Sequence, residues 1–420
     1  MRLALLVAAA LAACDPPPVP DAAPSPPPPV RAAPARPVTM PDALADSLVA
    51  ADPLWADALR LHFDALVLDG HVDTPSRMLD DGLDLGARNA VHHLDVPRMA
   101  EGGLDAAFFA LFVSRAYGEG QGATDRALAV LGEVERQVSA LEGAAIARTA
   151  ADVTRLHGEG RAAILLGLEG GHALQGSTEV LADLAGRGVR YVTLTHTNTN
   201  GWADSSQDEA RHGGLTDRGR EIVRAMQRLG VLVDLSHASD ATASDAFDVA
   251  EGPVIFSHSS CRALTATVRN VSDAHLRRLA DNGGVVMISL YNPFVNQRLT
   301  PDVMAAATAR LADGGSLWDA VEAERRARGL SDATLDDVLD HVDHAVRVAG
   351  VDHVGIGTDF DGIPTTPDGL GDVTRLPWLT YGLLKRGYSE GDVRKILGAN
   401  ALRVLGEAEA VGARLRSREG

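Results

Sequence analysis

The sequence predicts an α/β protein, a (β/α)8 TIM-like barrel preceded by an N-terminal signal and a Pro-rich tether. From about Asp42 onward, short apolar or β-branched runs alternate with longer amphipathic stretches, the rhythm of βα units in a parallel sheet. There are eight such runs, and Gly or Pro marks most junctions between them and the helical stretches. The strands are expected at 65–69, 106–113, 162–168, 190–195, 231–235, 254–257, 285–290 and 354–358, with helical patterns such as 124–141, 217–229 and 335–348 between them. Eight parallel strands with intervening helices make a barrel whose chemistry gathers at the C-terminal ends of the strands. A doubly wound open sheet fits the same periodicity, because periodicity alone does not close a barrel. No internal repeat at solenoid spacing interrupts the pattern.

Composition narrows the functional classes. A chain of 420 residues with 45% hydrophobic and 23% charged side chains is globular, which excludes general disorder and a polytopic membrane protein. Lys+Arg 39 against Asp+Glu 57 leaves a net charge of −18, so phosphate backbones and anionic lipid surfaces are repelled and nucleic acid is a poor partner. Cys14 and Cys261 are the two cysteines, too few for a disulfide framework.

Residues 1–13 read as a signal peptide: Arg2, an apolar run from Leu3 to Leu11 too short to span a bilayer, then small residues. Leu11-Ala12-Ala13-Cys14 is similar to the bacterial lipobox, in which cleavage before the cysteine leaves a lipidated N-terminal Cys14. The alternative is an ordinary signal peptide with an incidental thiol. Residues 14–41 are Pro/Ala-rich, with Pro26 to Pro29 consecutive, and read as an extended tether. The (β/α)8 domain is expected over 42–410 and a short tail over 411–420. The protein is thus expected to be exported and lipid-anchored to a bacterial membrane, facing the periplasm or exterior, with a homodimer left open.

Ionisable residues follow directly on the apolar strands: Asp69-Gly70-His71-Val72-Asp73, Glu169-Gly170-Gly171-His172, Thr195-His196, Ser236-His237, Ser257-His258 and Thr358-Asp359. A histidine at a strand end often makes only a local hydrogen bond. Six such sites on one barrel face would repel or desolvate one another without a cation. His71 and Asp73 are two apart, so an extended chain sends both to one side. Histidines with carboxylates and no cysteine suit zinc or a neighbouring divalent ion. Two metals need a bridging anion. The two lysines, Lys385 and Lys395, lie far from the strand ends, so a carboxylated lysine is ruled out and Glu169 is the natural bridge.

These phrases, with Asp234-Leu235-Ser236-His237, Phe256-Ser257-His258-Ser259-Ser260, Arg269-Asn270-Val271 and Gly357-Thr358-Asp359-Phe360-Asp361-Gly362, occur in the order seen in the membrane (renal) dipeptidase family of zinc peptidases. The resemblance runs from about His62 to Leu405. It implies an amidohydrolase-type barrel with two Zn2+ ions that cleaves free dipeptides, including ones with a C-terminal D-residue. Carried over by motif, His71 and Asp73 hold one zinc, His237 and His258 the other, and Glu169 bridges them. His196 faces the substrate and its developing oxyanion, Arg269 pairs with the dipeptide carboxylate, and Asp359 handles the proton and the substrate amine. The chemistry agrees: a guanidinium grips a carboxylate bidentately, although Arg269 also reads as a solvated cap, and a carboxylate at Asp359 can relay a proton.

Other residues are not assigned to the site. Asp361 and His172 are expected behind it, His92 and His93 in a loop, and His341 and His344 on a helix; Cys261 reads as apolar filler, and Tyr291 and Phe294 as core or pocket wall. Two rival functions are another two-metal amidohydrolase acting on a lactam, lactone or phosphoester, and a peptide-binding lipoprotein without catalysis. No G-x-S-x-G elbow supports serine hydrolysis.

Overall fold

The computed structural model describes residues 40–310 and 317–419. The expected signal peptide, Cys14 and nearly all of the tether lie outside the described residues. Nine parallel strands form one sheet: β1 (Leu68–Val72), β2 (Ala106–Phe112), β3 (Ala144–Ile146), β4 (Ala162–Glu169), β5 (Val189–Thr193), β6 (Leu232–Asp234), β7 (Val254–Phe256), β8 (Val285–Ile288) and β9 (Val354–Ile356). The order β2-β1-β9-β8-β7-β6-β5-β4 is closed by pairing of β2 with β4. Eight strands therefore make a complete barrel, and the open-sheet alternative is excluded.

β3 is the element the sequence did not single out. It pairs with Ala162 to Ile164 at the start of β4, ahead of the stretch from Leu166 to Glu169 that pairs with β5. Three small or apolar residues are too short a run to stand out as a strand.

Along each barrel strand the side chains alternate between two cores, as the period of two requires. Phe108, Leu165, Tyr191, Ile255 and Met287 fill the barrel interior. Phe109, Ile164, Val192, Val233 and Val286 face the surrounding helices. Ala401, Val404 and Leu405 of the helix Asn400–Glu419 join the interior cluster. That helix closes the N-terminal end of the barrel, so the C-terminal end is where a ligand can enter. It also runs across the boundary expected at 410, with Val411 buried.

The helices start and stop where side-chain chemistry allows. Thr216 caps Asp217–Leu229 by accepting from Gly219 N, and Gly230 ends the helix at φ 71°, a left-handed conformation that suits glycine. A capping box of Thr334 and Asp337 opens Leu335–Ala349. The pattern expected at 124–141 is the helix Gln121–Ser139. β1 lies three residues later than expected. His71 is consequently inside the strand, and Asp73 sits just past it at φ −94°, ψ 14°, outside extended geometry. The two side chains still converge, but because the chain turns at Asp73 and not because it stays extended.

Candidate metal centre

Five of the expected residues meet at the C-terminal mouth of the barrel, brought there by four strands. His71 comes from β1, Glu169 from the last position of β4, His237 and His258 from the turns after β6 and β7, and Asp73 from the turn after β1. Glu169 stands in the middle. Its Oε2 is 3.5 Å from His71 Nε2, which is itself 3.3 Å from Asp73 Oδ2. Its other oxygen, Oε1, is 3.2 Å from His237 Nε2 and 3.5 Å from His258 Nε2. One carboxylate thus divides its two oxygens between two ligand groups, His71 with Asp73 and His237 with His258. Asp359 follows β9, and its carboxylate joins His71 and His258 with ligand atoms within 4.8 Å of one another. Barrel closure accounts for this: β9 pairs with β1, and Asp359 N donates to His71 O at 3.0 Å.

The donor set fits divalent cations on its own chemistry. Each imidazole is engaged at Nδ1 and points Nε2 inward: His71 Nδ1 lies 2.7 Å from Tyr191 Oη, His237 Nδ1 2.8 Å from Gln207 Oε1, and His258 Nδ1 2.8 Å from Ser257 Oγ. That is how metal-ligating histidines are held. His71 Nε2 is buried without a hydrogen bond, and His237 Nε2 lies 3.0 Å from His258 Nε2, a close approach of two lone-pair sites that a shared cation relieves. Burial, with Arg269 close by, keeps His237 and His258 well below the usual imidazole range, so they are neutral as ligands must be. Burial raises Glu169, and Asp73 adds repulsion while His71 offsets part of it. Burial opposes protonation of His71, yet Tyr191, Glu169 and Asp73 outweigh it and hold its pKa well above normal. Asp359 is raised well above the carboxylate range by burial and by Asp73 and Glu169, with His71 and Arg269 working the other way. A crowd of carboxylates drawing a proton onto an imidazole is a site with a deficit of positive charge.

His196 and Arg269 flank the cluster. The His196 ring is partly exposed, 4.4 Å from the His237 ring and edge-on to Phe112 at 4.8 Å; burial, then Arg269, holds it well below the usual imidazole range. Arg269 is not the solvated cap that one reading allowed. It is 3% exposed, its Nη1 donates to Ser259 Oγ and its Nη2 to His258 O, both at 3.1 Å, and its guanidinium lies 5.0 Å from the Phe294 ring centre. Burial lowers it to about 10, and Asp359 and Glu169 pull the other way.

The residues left out of the site are accounted for. Asp361 accepts from Thr74 Oγ1 and His93 N, both at 2.6 Å, and ties loops together behind Asp73. His341 Nδ1 accepts from Cys261 N, and His344 pairs with Asp273. His172 is buried in the turn after Glu169, where burial lowers it to about 4. Tyr291 and Phe294 pack with Ile363 beside Arg269. Sequence reasoning missed Tyr191, Gln207 and Asp234. Tyr191 reads as strand filler, Gln207 sits in a long loop without local pattern, and Asp234 is hidden inside a motif dominated by its histidine.

Residues 55–419 match the membrane dipeptidase family, peptidase family M19. The chain is 35% identical over 86% of its length to dipeptidase tcpJ of Claviceps purpurea, covering 76% of that protein. It is 34% identical over 87% to dipeptidase verJ of Clonostachys rogersoniana, covering 90%. Among solved structures, the probable dipeptidase PvdM from Pseudomonas aeruginosa superposes with a TM-score of 0.76 at 25% identity, over 86% of this chain and 99% of that one. A metallo peptidase from Rhodobacter sphaeroides, liganded with a phosphinate mimic of L-Ala-D-Ala, does so at 0.68 and 26% identity, over 82% and 99%. A barrel with this strand-end cluster and a family match along nearly all the described residues leave one assignment: the chain belongs to the membrane dipeptidases of peptidase family M19, and is a metallohydrolase.

Proposed function

We propose that the protein hydrolyses free dipeptides with two divalent ions, zinc by the character of the donor set, and that dipeptides ending in a D-residue are among its substrates. His71 and Asp73 would hold one ion, His237 and His258 the other, and Glu169 both. The observation that carries this reading is the division of the Glu169 carboxylate between the two groups. When bound, such a pair lowers the pKa of a water and polarises the scissile carbonyl.

The chain's own residues supply the rest. Arg269, buried and rigidly held, grips the substrate carboxylate and fixes the dipeptide by its C-terminal end. His196, kept neutral, donates a hydrogen bond where negative charge builds on the carbonyl oxygen, an interaction stronger in the transition state than in the ground state. Asp359 takes a proton at its carboxylate and returns it to the departing amine. The D-residue reading draws support from the Rhodobacter sphaeroides protein's ligand, a mimic of L-Ala-D-Ala.

Elemental analysis together with kcat/KM on an L,L and an L,D dipeptide and on the C-terminal amide of each tests the reading. Two metals per chain and a strong preference for the free acids are expected. Equal rates on acid and amide would remove Arg269 from substrate recognition. The protein is further proposed to be lipid-anchored through Cys14 on the strength of Leu11-Ala12-Ala13-Cys14; Cys14→Ala should abolish metabolic lipid labelling and release the protein from membranes. No helix among the described residues is long and apolar enough to cross a membrane.

A further inference from the structure

Asp234 touches none of the expected ligand atoms, yet it is fully buried at the end of β6 and every hydrogen bond it accepts comes from a strand end around the site. Its Oδ2 accepts from Thr193 Oγ1 and from Ser257 Oγ, both at 2.6 Å. Its Oδ1 accepts from Ser257 N at 2.8 Å and Ser236 N at 3.1 Å. Ser257 Oγ also lies 2.8 Å from His258 Nδ1.

A serine hydroxyl has a single hydrogen to give. A buried carboxylate at 2.6 Å is the strongest acceptor in its reach, so that hydrogen goes to Asp234. The oxygen can then only accept from His258, so Nδ1 carries the ring proton and Nε2 presents a lone pair toward Glu169. We propose that Asp234 is a positioning residue for the His237–His258 metal site: acting through Ser257, it fixes the tautomer and aim of His258. The inference rests on the two-metal reading above. It goes further by assigning a task to a residue outside the ligand set.

Thr193 provides a matched control, since its hydroxyl meets the same Asp234 oxygen at the same distance but makes no bond to His258. Ser257→Ala and Thr193→Val should lower the melting temperature of the metal-free protein alike. In competition with a chromophoric chelator, Ser257→Ala should weaken the second equivalent of Zn2+ by about 10- to 100-fold, the usual effect of losing a ligand's outer partner. Thr193→Val should stay within threefold of wild type. A weakening in Ser257→Ala less than fivefold beyond that in Thr193→Val overturns the proposal, because the carboxylate would then be merely structural.

Asp234→Asn gives a second reading that does not depend on metal. An amide nitrogen facing Ser257 Oγ donates to it, which frees the hydroxyl hydrogen for His258 and moves the ring proton to Nε2. In 15N-histidine-labelled metal-free protein, the His258 ring signals should shift from the Nδ1–H to the Nε2–H pattern; an unchanged pattern also overturns the relay. Wild type that binds no Zn2+ at all would sink the two-metal reading itself, an outcome separate from intact binding in Ser257→Ala.

Discussion

Replacing Glu169 with Gln should move metal binding and the stability of the metal-free protein in opposite directions. The side chain keeps its size, but one unit of negative charge goes and one oxygen becomes an NH2 group. Whichever way the amide turns, a donor faces either His71 Nε2 or the pair His237 Nε2 and His258 Nε2, all now within 3.5 Å of a carboxylate oxygen. Removing one partner of a buried charge pair costs about 3–5 kcal/mol, so affinity for at least one divalent ion should fall roughly 10²- to 4 × 10³-fold at 1.4 kcal/mol per decade. The metal-free protein should respond the other way. Burial raises the Glu169 pKa above its value in an unfolded chain. An acid with a raised folded-state pKa favours folding below the unfolded value and loses that contribution as pH rises through the folded value. At neutral pH the carboxylate is therefore a burden on the empty fold, and Glu169→Gln should melt no lower than wild type once both are stripped with chelator. Elemental analysis after gel filtration, chelator competition and calorimetry at pH 7 measure the three quantities. Two tightly held metals in the variant, or a metal-free variant that melts several degrees lower, would refute the bridging assignment and the charge argument respectively.

Three further outcomes follow from the same geometry. Asp359→Asn should lower kcat by roughly 10²- to 10⁴-fold, the usual contribution of an acid/base group, with two metals still present by elemental analysis; loss of a metal would instead make Asp359 a ligand. Arg269→Lys should cut kcat/KM on free dipeptides about 10- to 150-fold, the worth of one charged hydrogen bond of about 1.5–3 kcal/mol, while the rate on dipeptide amides stays within threefold. Gly167→Ala should destabilise the fold by about 1–3 kcal/mol in denaturant titrations, since a methyl group there would run into the Tyr191 ring, whose hydroxyl meets His71 Nδ1; a silent substitution would mean that Tyr191 can move without consequence.

The barrel and its cluster were legible because they are written locally. Each strand is a short apolar run, and each candidate ligand follows its run within a few residues, so a reader needs no knowledge of which strands touch. The closure of the ring was not legible in this sense: the pairing of β2 with β4 and of β1 with β9 is a long-range choice that periodicity does not encode. The same limit explains the missed supporting residues. Gln207 reaches His237 across 30 positions and Tyr191 reaches His71 across 120, and neither residue type announces itself at its own place in the chain. Arg269 was ambiguous for a related reason, as its burial depends on Phe294, from the short helix Asn292–Val295, and Ser259, from the loop after β7, converging on it.

Two buried aspartates, Asp69 within β1 and Asp234 at the end of β6, show how the fold carries its strained residues. Asp69 Oδ1 accepts from His71 N, two residues on, and from Thr358 N across the sheet, while its Oδ2 accepts from Thr358 Oγ1. Asp234 repeats the pattern with Ser236 N, Ser257 N and Ser257 Oγ. In each case the clasp grips the residue just before a member of the site: Thr358 before Asp359, Ser257 before His258, Ser236 before His237. Asp359 and His237 are held at φ 65° and 66°, left-handed values that non-glycine residues rarely adopt. Such a conformation persists only where the surroundings over-determine it, and a buried carboxylate with three or four donors is a fixture of that kind. Burial keeps Asp69 raised to about 6 even so, so the clasp costs stability when ionised. The barrel bears that cost at the end where its ladders stop and the candidate ligands must be aimed, and the ladder between β2 and β4, unbroken through all seven residues of β2, supplies the rigidity against which the clasps work.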